Sequence, residues 1–434
     1  MTAHTLLVRH GVRAGVAAAI LMPQPLLAQS LSQRIASAPD GAVQFAYAAR
    51  PGVCGNGRTY YSINGSMWFG SMNDNTLRSD PCQPGPVRVV LGRAGKEIVD
   101  VNVYVGPAPA QQSSAVTDLG TVPAKDAADY LLSVAAKVDG RPGRDAITPA
   151  LLADSATVSP QLLAIARDQT RARETRSSAI TWLNRAPDER GGVSPSQLAK
   201  ALGDMARDEN DNQQVRQSAL RVLARQENGE GIPALIEISR GTQDVWLGKQ
   251  ALSVLAQSGD PRARTYLRTA VQRPDLNDEM RVAAIRGIGR EYATSQDAEF
   301  LRGLYAKLPS ERAKEAVLES MGEMGGTANA KWLITIAGNN DESLRLRRRA
   351  VQLSDRAGTS VADLSKLYDQ TDDPQMQEAI ISTLANNGTK AATDKLLAIA
   401  KADQNYQNRR RAVNALGRSD DPRVKDALKD IVEK

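Results

Sequence analysis

The sequence predicts a mainly α protein: an α-solenoid of about eight to nine helix pairs behind a small, disulfide-linked β unit. Three observations predict it. An Ala followed directly by Val, Ile or Leu recurs eight times within helical patterns, at Ala179, Ala219, Ala251, Ala284, Ala316, Ala350, Ala379 and Ala412. The mean interval is about 33 residues, the length of a two-helix repeat. Ahead of this array lies a stretch whose apolar residues alternate with the two-residue period of strands. That stretch also holds both Cys residues of the chain, Cys54 and Cys82.

Residues 1–28 read as a secretory signal. Arg9, His10 and Arg13 form a basic start, Ala14 to Met22 an apolar run, and Leu26-Leu27-Ala28 a small-residue cleavage site after Pro23 and Pro25. The run is shorter than the roughly 20 residues of a membrane span, and no later segment is apolar enough for one. The reading implies export to the periplasm or the cell exterior. Cleavage would remove His4 and His10, the only two His residues. A mature chain without His excludes a Ser-His-Asp triad, a His general base and His-containing metal sites. It would also lower the net charge from +6 to about +4, since Arg9 and Arg13 leave and no acid does. So weak a charge suits a soluble protein and does not argue for nucleic acid. Aromatic residues make up 4 % of the chain, too few for a stacking surface.

Residues 29–106 read as the β-rich unit. Val43, Phe45 and Tyr47 alternate on one strand face. Asn64-Gly65 joins two short strands as a type I′ hairpin turn, because Asn and Gly tolerate positive φ. A second hairpin turns at Gly92 to Lys96. On its last strand Val99, Val101, Val103 and Val105 are expected on one face, with Asp100, Asn102 and Tyr104 on the other. About five short strands bury little core. In an exported chain Cys54 and Cys82 are expected to pair and compensate. Residues 107–124, rich in Pro, Ala, Ser and Gln, read as a linker.

Residues 125–434 read as the solenoid. In each repeat the small Ala lets two helices cross closely, and its apolar neighbour fills the core. A second apolar position follows four residues later on the same face, as at Leu183, Leu223, Leu255, Ile288 and Leu416. A partner helix comes after a polar turn, for example Gln197 to Asp208 or Ala392 to Ala400. Asp211, Asp244, Asp278, Asp341 and Asp373 are expected to cap helix N-termini. A degenerate early repeat is expected around Ala146-Ile147. Five repeats place Arg three residues before the Ala: Arg176, Arg216, Arg281, Arg347 and Arg409. This Arg-x-x-Ala-apolar phrase resembles the HEAT repeats and, in its short period, the phycobilisome-lyase-type HEAT-like repeats. The resemblance covers roughly residues 145 to 434, with Gly248, Ala313 and Met376 departing from the Arg pattern. It implies an α-solenoid with a protein-binding concave surface and carries over no catalytic residue.

Two groups are candidate sites. Arg345, Arg348 and Arg349 stand two repeats before Arg410 and Arg411, at equivalent places, and could form a stripe for an anionic partner. The competing reading makes one Arg of each group part of the repeat and leaves the rest solvated. Tyr60, Tyr61, Trp68 and Phe69 cluster about one hairpin. Adjacent strand residues point to opposite faces, so half of them are expected in the core and half on a docking or ligand surface. No phosphate-loop or dinucleotide motif occurs. Asp208, Asn210 and Asn212 have the opening spacing of a calcium loop, but Gln213 replaces its Gly and Ala219 its closing Glu. The sequence therefore points to no catalytic residue, no cofactor and no metal. It points to an exported, non-enzymatic scaffold for a protein partner. The alternatives are an envelope hydrolase or lyase with a carboxylate site, and a ligand-sensing module using the β unit.

Overall fold

The computed structural model describes residues 1–2, 29–58, 60–63, 65–69, 81–107, 115–186, 191–290, 292–417 and 421–432. Apart from its first two residues, the expected signal segment lies outside the described residues.

A short helix, Leu31–Ser37, precedes seven strands: β1 (Gly41–Tyr47), β2 (Val53–Gly55), β3 (Tyr60–Ile63), β4 (Ser66–Phe69), β5 (Val87–Ala94), β6 (Glu97–Val105) and β7 (Val116–Thr121). One sheet runs β6-β5-β1-β7 and a second runs β2-β3-β4. Both expected hairpins form. Gly65 and Gly95 turn them at φ of 82° and 61°, which only glycine adopts freely. The disulfide Cys54–Cys82 is formed and ties β2 to the chain just ahead of β5.

Two expectations for this region change. The register of β5 and β6 shifts after Gly92↔Asp100 to Arg93↔Ile98, which leaves Val99 without an opposite residue. This bulge turns Ile98 into the core and leaves Val99 51 % exposed, so Val99 does not share a face with Val101 and Val105. Val116–Thr121, read within the linker, is strand β7, parallel to β1 at the sheet edge. It buries none of its residues fully. An edge strand held by backbone hydrogen bonds needs no apolar alternation, so its composition resembles that of a loop.

The β unit is not a separate bead. Val43, Phe45, Tyr47, Val87, Val89 and Leu91 are wholly buried in a core continuous with the helices. Phe45 meets Tyr130 of helix Ala124–Lys137 edge to face at 6.4 Å. The Tyr47 hydroxyl donates to the Pro149 carbonyl at 2.6 Å, and Ala49 bridges to Ala153. The early repeat near Ala146 is reduced to two single-turn helices, Arg141–Asp145 and Ile147–Leu151, interrupted by Pro142, Gly143 and Pro149.

Beyond it, helices alternate between two rows. One row carries the repeated Ala: Arg173–Leu183, Gln213–Arg225, Val245–Gln257, Asp278–Ile288, Glu311–Met324, Leu344–Arg356, Pro374–Asn387 and Tyr406–Leu416. The other row comprises Ser159–Arg167, Pro195–Arg207, Ile232–Gly241, Pro261–Ala270, Ser295–Leu304, Thr327–Gly338, Val361–Asp369, Lys390–Ala402 and Pro422–Val432. All eight Ala residues are buried, as the close crossing of helices requires. Successive helices of the Ala row abut one another, while approaches within the other row are sparser. A double row spaced this way bends towards its closer row.

Capping follows the expectation at Asp244 and Asp373, which accept from the Leu247 and from the Gln375 and Met376 amides. Elsewhere a neighbour takes the role. Asn212, Asn277 and Ser343 cap where Asp211, Asp278 and Asp341 were expected. Asp208 folds its own turn by accepting from the Asn210 amide at 3.0 Å, so the calcium-like spacing serves turn and cap.

Candidate binding surface

The recurring Arg is an internal latch. Arg176 donates to the Ala166 carbonyl at 2.9 Å, Arg216 to Ala206 at 3.0 Å, Arg347 to Ala337 at 3.0 Å, and Arg281 to Val271. Each acceptor lies at the end of the preceding helix, where carbonyls lack an intrahelical partner and the dipole favours a cation. Arg409 does the same one turn nearer, donating to Asp403 at 2.7 Å. In the first two repeats the guanidinium also reaches forward. Arg176 grips Asp211 through two 2.6 Å bonds with both side chains at most 4 % exposed, and Arg216 binds Asp244 at 2.7 Å. This explains why Asp211 is not a cap. At Gly248, which departs from the Arg pattern, Met280 fills the space a side chain would take.

The outer face of the Ala row is polar, and its charge differs along its length. Of the predicted Arg stripe, Arg345 and Arg349 belong to helix Leu344–Arg356 and face carboxylates of helix Glu311–Met324. Arg345 bonds to Glu315, and Arg349 bonds to Glu319 at 3.0 Å. Arg411 pairs with Glu378 at 2.8 Å, and Arg348 donates to Gln375 at 3.1 Å. Arg410 is exposed and makes no ion pair among the described residues. The two groups therefore stand on a row of alternating sign rather than on one basic stripe, and Arg347 and Arg409 belong to the latch. Burial raises the Glu319 carboxyl, but Arg286 and Arg349 together hold it below the usual carboxylate range.

The sequence reading missed the region before this one. Three grooves follow one another along the row. The first, of about 490 Å³, lies between helices Gln213–Arg225 and Val245–Gln257 and includes Arg221, Arg225 and Gln257. The second, of about 400 Å³, shares Gln257 and adds Lys249, Ser253, Arg286 and Arg290. The third, of about 750 Å³, shares Arg290 and reaches Arg302, Glu323 and Gly326. The first two adjoin along the Ala row at Gln257, and the third adjoins the second at Arg290 but opens towards helices Ser295–Leu304 and Thr327–Gly338 of the other row; together they are termed the trench. Lys249 is engaged by Glu279 at 2.7 Å, and Arg286 by Glu319 at 2.9 Å. Arg221, Arg225 and Arg290 are exposed, and their side chains make no hydrogen bond or ion pair among the described residues. The signal for them was the i, i+4 spacing of Arg221 with Arg225 and of Arg286 with Arg290, which the conspicuous Arg runs further on obscured.

The aromatic hairpin behaves differently from expectation. Tyr60 and Tyr61 are both 6 % exposed, so both sides of β3 are covered at these two positions. Burial pushes the Tyr61 hydroxyl up to about 12, with Asp145 adding to the shift. Trp68 and Phe69 pair in register with Tyr61 and Tyr60 through the backbone of β4, and their side chains lie outside the described residues.

Residues 199–278 and 361–434 match the family of HEAT repeats. The helical array is a HEAT-repeat solenoid. No curated protein sequence matches the chain. Among solved structures, the chain is similar to human deoxyhypusine hydroxylase in complex with glycerol, at 18 % identity over 55 % of this chain and 96 % of that one, with a TM-score of 0.27. It is similar to the complex of CpcE and CpcF of phycocyanin lyase from Nostoc sp. PCC7120, at 20 % identity over 62 % and 94 %, with a TM-score of 0.25. It is also similar to Kap121p bound to Nup53p, at 11 % identity over 72 % and 40 %, with a TM-score of 0.45. These likenesses concern the stacking of HEAT helices and carry no partner or reaction over to this chain.

Proposed function

We propose that this protein is an exported, non-enzymatic scaffold that binds a protein partner along the Ala row of its HEAT solenoid. One observation carries the reading. The repeats lock their own frame with arginines, and this leaves adjoining grooves with arginine-rich walls on the row towards which the stack bends. Such a surface recognises by shape and distributed polar contacts. The signal-like segment and the Cys54–Cys82 disulfide support export, since disulfides persist in oxidising compartments. Among the described residues no helix is long and apolar enough to cross a membrane.

The test is crosslinking of the full chain in its native cell, followed by mass spectrometry of the crosslinked residues. The reading expects one defined partner in stoichiometric yield, joined to residues of helices Gln213–Arg225 to Glu311–Met324. Crosslinks confined to the β unit would overturn it, as would a purified protein that turns over peptidoglycan, peptide or glycan substrates.

A further inference from the structure

The charge of the trench is specific enough to name the chemistry of its occupant. We infer that the grooves from Arg221 to Arg290 bind an extended, acidic segment of a protein. The inference rests on the scaffold reading above and goes further by assigning the site and the partner's charge.

Arg221 and Arg225 are four residues apart on one helix face, and Arg290 follows Arg286 by four residues just past the end of helix Asp278–Ile288. Like charges at this spacing repel and destabilise the helix unless something neutralises them. Two repeats later the same chain solves this problem internally. Glu315 and Glu319, also i, i+4, receive Arg345 and Arg349 from the next helix. In the trench, among the described residues, Arg286 is neutralised by Glu319 and Lys249 by Glu279. The first two grooves have no carboxylate in their walls, and Glu323 is the acid of the third. Among the described residues, Arg221, Arg225 and Arg290 are thus without an internal carboxylate and left for an external anion.

The neutral residues between them select a polypeptide. Gln250, Ser253 and Gln257 line the floor. Their amides and hydroxyl both donate and accept, which matches the alternating N–H and C=O groups of an extended main chain. A nucleic-acid backbone presents acceptors to such a floor. Its bases would want aromatic platforms, and no Trp, Tyr or Phe lines any of the three grooves. Arginine, with its planar fork, suits Asp and Glu side chains in two-point contact.

The probe is a fluorescent twelve-residue peptide of alternating Glu and Ser, compared with its Gln-Ser counterpart and with a single-stranded oligonucleotide of equal charge. The full chain is tested beside the triple variant Arg221→Glu, Arg225→Glu, Arg290→Glu and the control Arg348→Glu, Arg410→Glu. Arg221, Arg225, Arg290 and Arg410 are exposed and Arg348 is half-buried, so the folded state is checked by unchanged circular dichroism and melting. The milder Arg→Gln triple serves if the Glu triple melts early. The expected result is salt-sensitive binding of the Glu peptide, weakened at least about tenfold by the triple variant and less than about twofold by the control. Equal binding of the Glu and Gln peptides overturns the inference. So does loss with the control alone, or tighter binding of the oligonucleotide. Native crosslinking of the triple variant separates the two levels. A partner captured as well by the variant as by the unmodified chain sinks the acidic trench and leaves the scaffold standing, whereas no defined partner for the unmodified chain sinks the scaffold itself.

Discussion

The stretch from Gln213 to Arg290 and the stretch from Glu311 to Arg411 share one fold and one repeat frame, yet differ in which exposed arginines of the Ala row meet a carboxylate. In the later stretch Arg345, Arg349 and Arg411 lie against Glu315, Glu319 and Glu378 of a neighbouring helix. In the earlier one Arg221, Arg225 and Arg290 are exposed and meet no carboxylate among the described residues. Latch arginines, Arg216 buried and Arg347 half-buried, meanwhile do the same work in both, closing helix ends at Ala206 and at Ala337. The difference teaches that arginine density is a poor guide to a binding surface in a HEAT array. What matters is which guanidiniums the neighbouring repeat has already engaged.

Breaking the frame should have the largest effect. Replacing Arg176 by Ala leaves Asp211 buried with no cation and the Ala166 carbonyl without its donor. A loss of about 3–5 kcal/mol is expected in urea unfolding, as for other half-removed buried pairs. Arg345→Ala, at an exposed pair, should cost below about 1 kcal/mol. Equal losses at the two positions would erase the distinction between latch and surface.

Acid should act through the frame as well. Burial raises the Asp297 carboxyl, yet hydrogen bonds from Thr294 and Arg268 bring it below its usual value. Asp244 is likewise raised by burial and lowered further by Arg216 and the Leu247 amide. A carboxyl depressed on folding stabilises above its unfolded value, about 3.9. That stabilisation disappears as pH falls through the lower folded value. Stability should therefore be flat near neutrality and drop below about pH 4, and Asp297→Asn should be less stable at pH 7 and show a shallower acid loss. An unchanged acid profile in that variant would remove Asp297 from the frame.

Converting one stretch into the other sharpens the comparison. The double variant Glu315→Gln, Glu319→Gln releases Arg286, Arg345 and Arg349 and lengthens the basic trench. Stability should fall by about 1 kcal/mol or less per site, while the acidic peptide binds more tightly and with steeper salt dependence. The smallest effect is expected at Arg348 and Arg410, where charge reversal should move stability by less than about 0.5 kcal/mol.

Much of the frame was legible in the sequence, because an Ala that returns once per helix pair marks a close helix crossing made again and again. The Arg-x-x-Ala phrase marked the latch positions as part of the repeat. It did not show what they latch, since the accepting carbonyl sits ten residues back for Arg176, Arg216 and Arg347 and is set by the turn between. The edge strand β7 was missed because backbone pairing alone holds it, and Val99 was misplaced because a bulge leaves no mark in an alternating pattern. Tyr60 and Tyr61 are both covered, so both sides of β3 are buried there, which no local pattern encodes. The trench was obscure for a similar reason. Whether an Arg is free depends on carboxylates some thirty residues away, as with Arg286 and Glu319.

The most direct test of this division is phenylglyoxal footprinting of arginine reactivity, read by mass spectrometry on the full chain with and without the acidic peptide. The account predicts that Arg176, Arg216 and Arg281 stay unmodified throughout, and that Arg221, Arg225 and Arg290 react quickly alone and are protected by the peptide. Reactive latch arginines in the folded protein, or protection that falls on Arg348 and Arg410 instead, would contradict it.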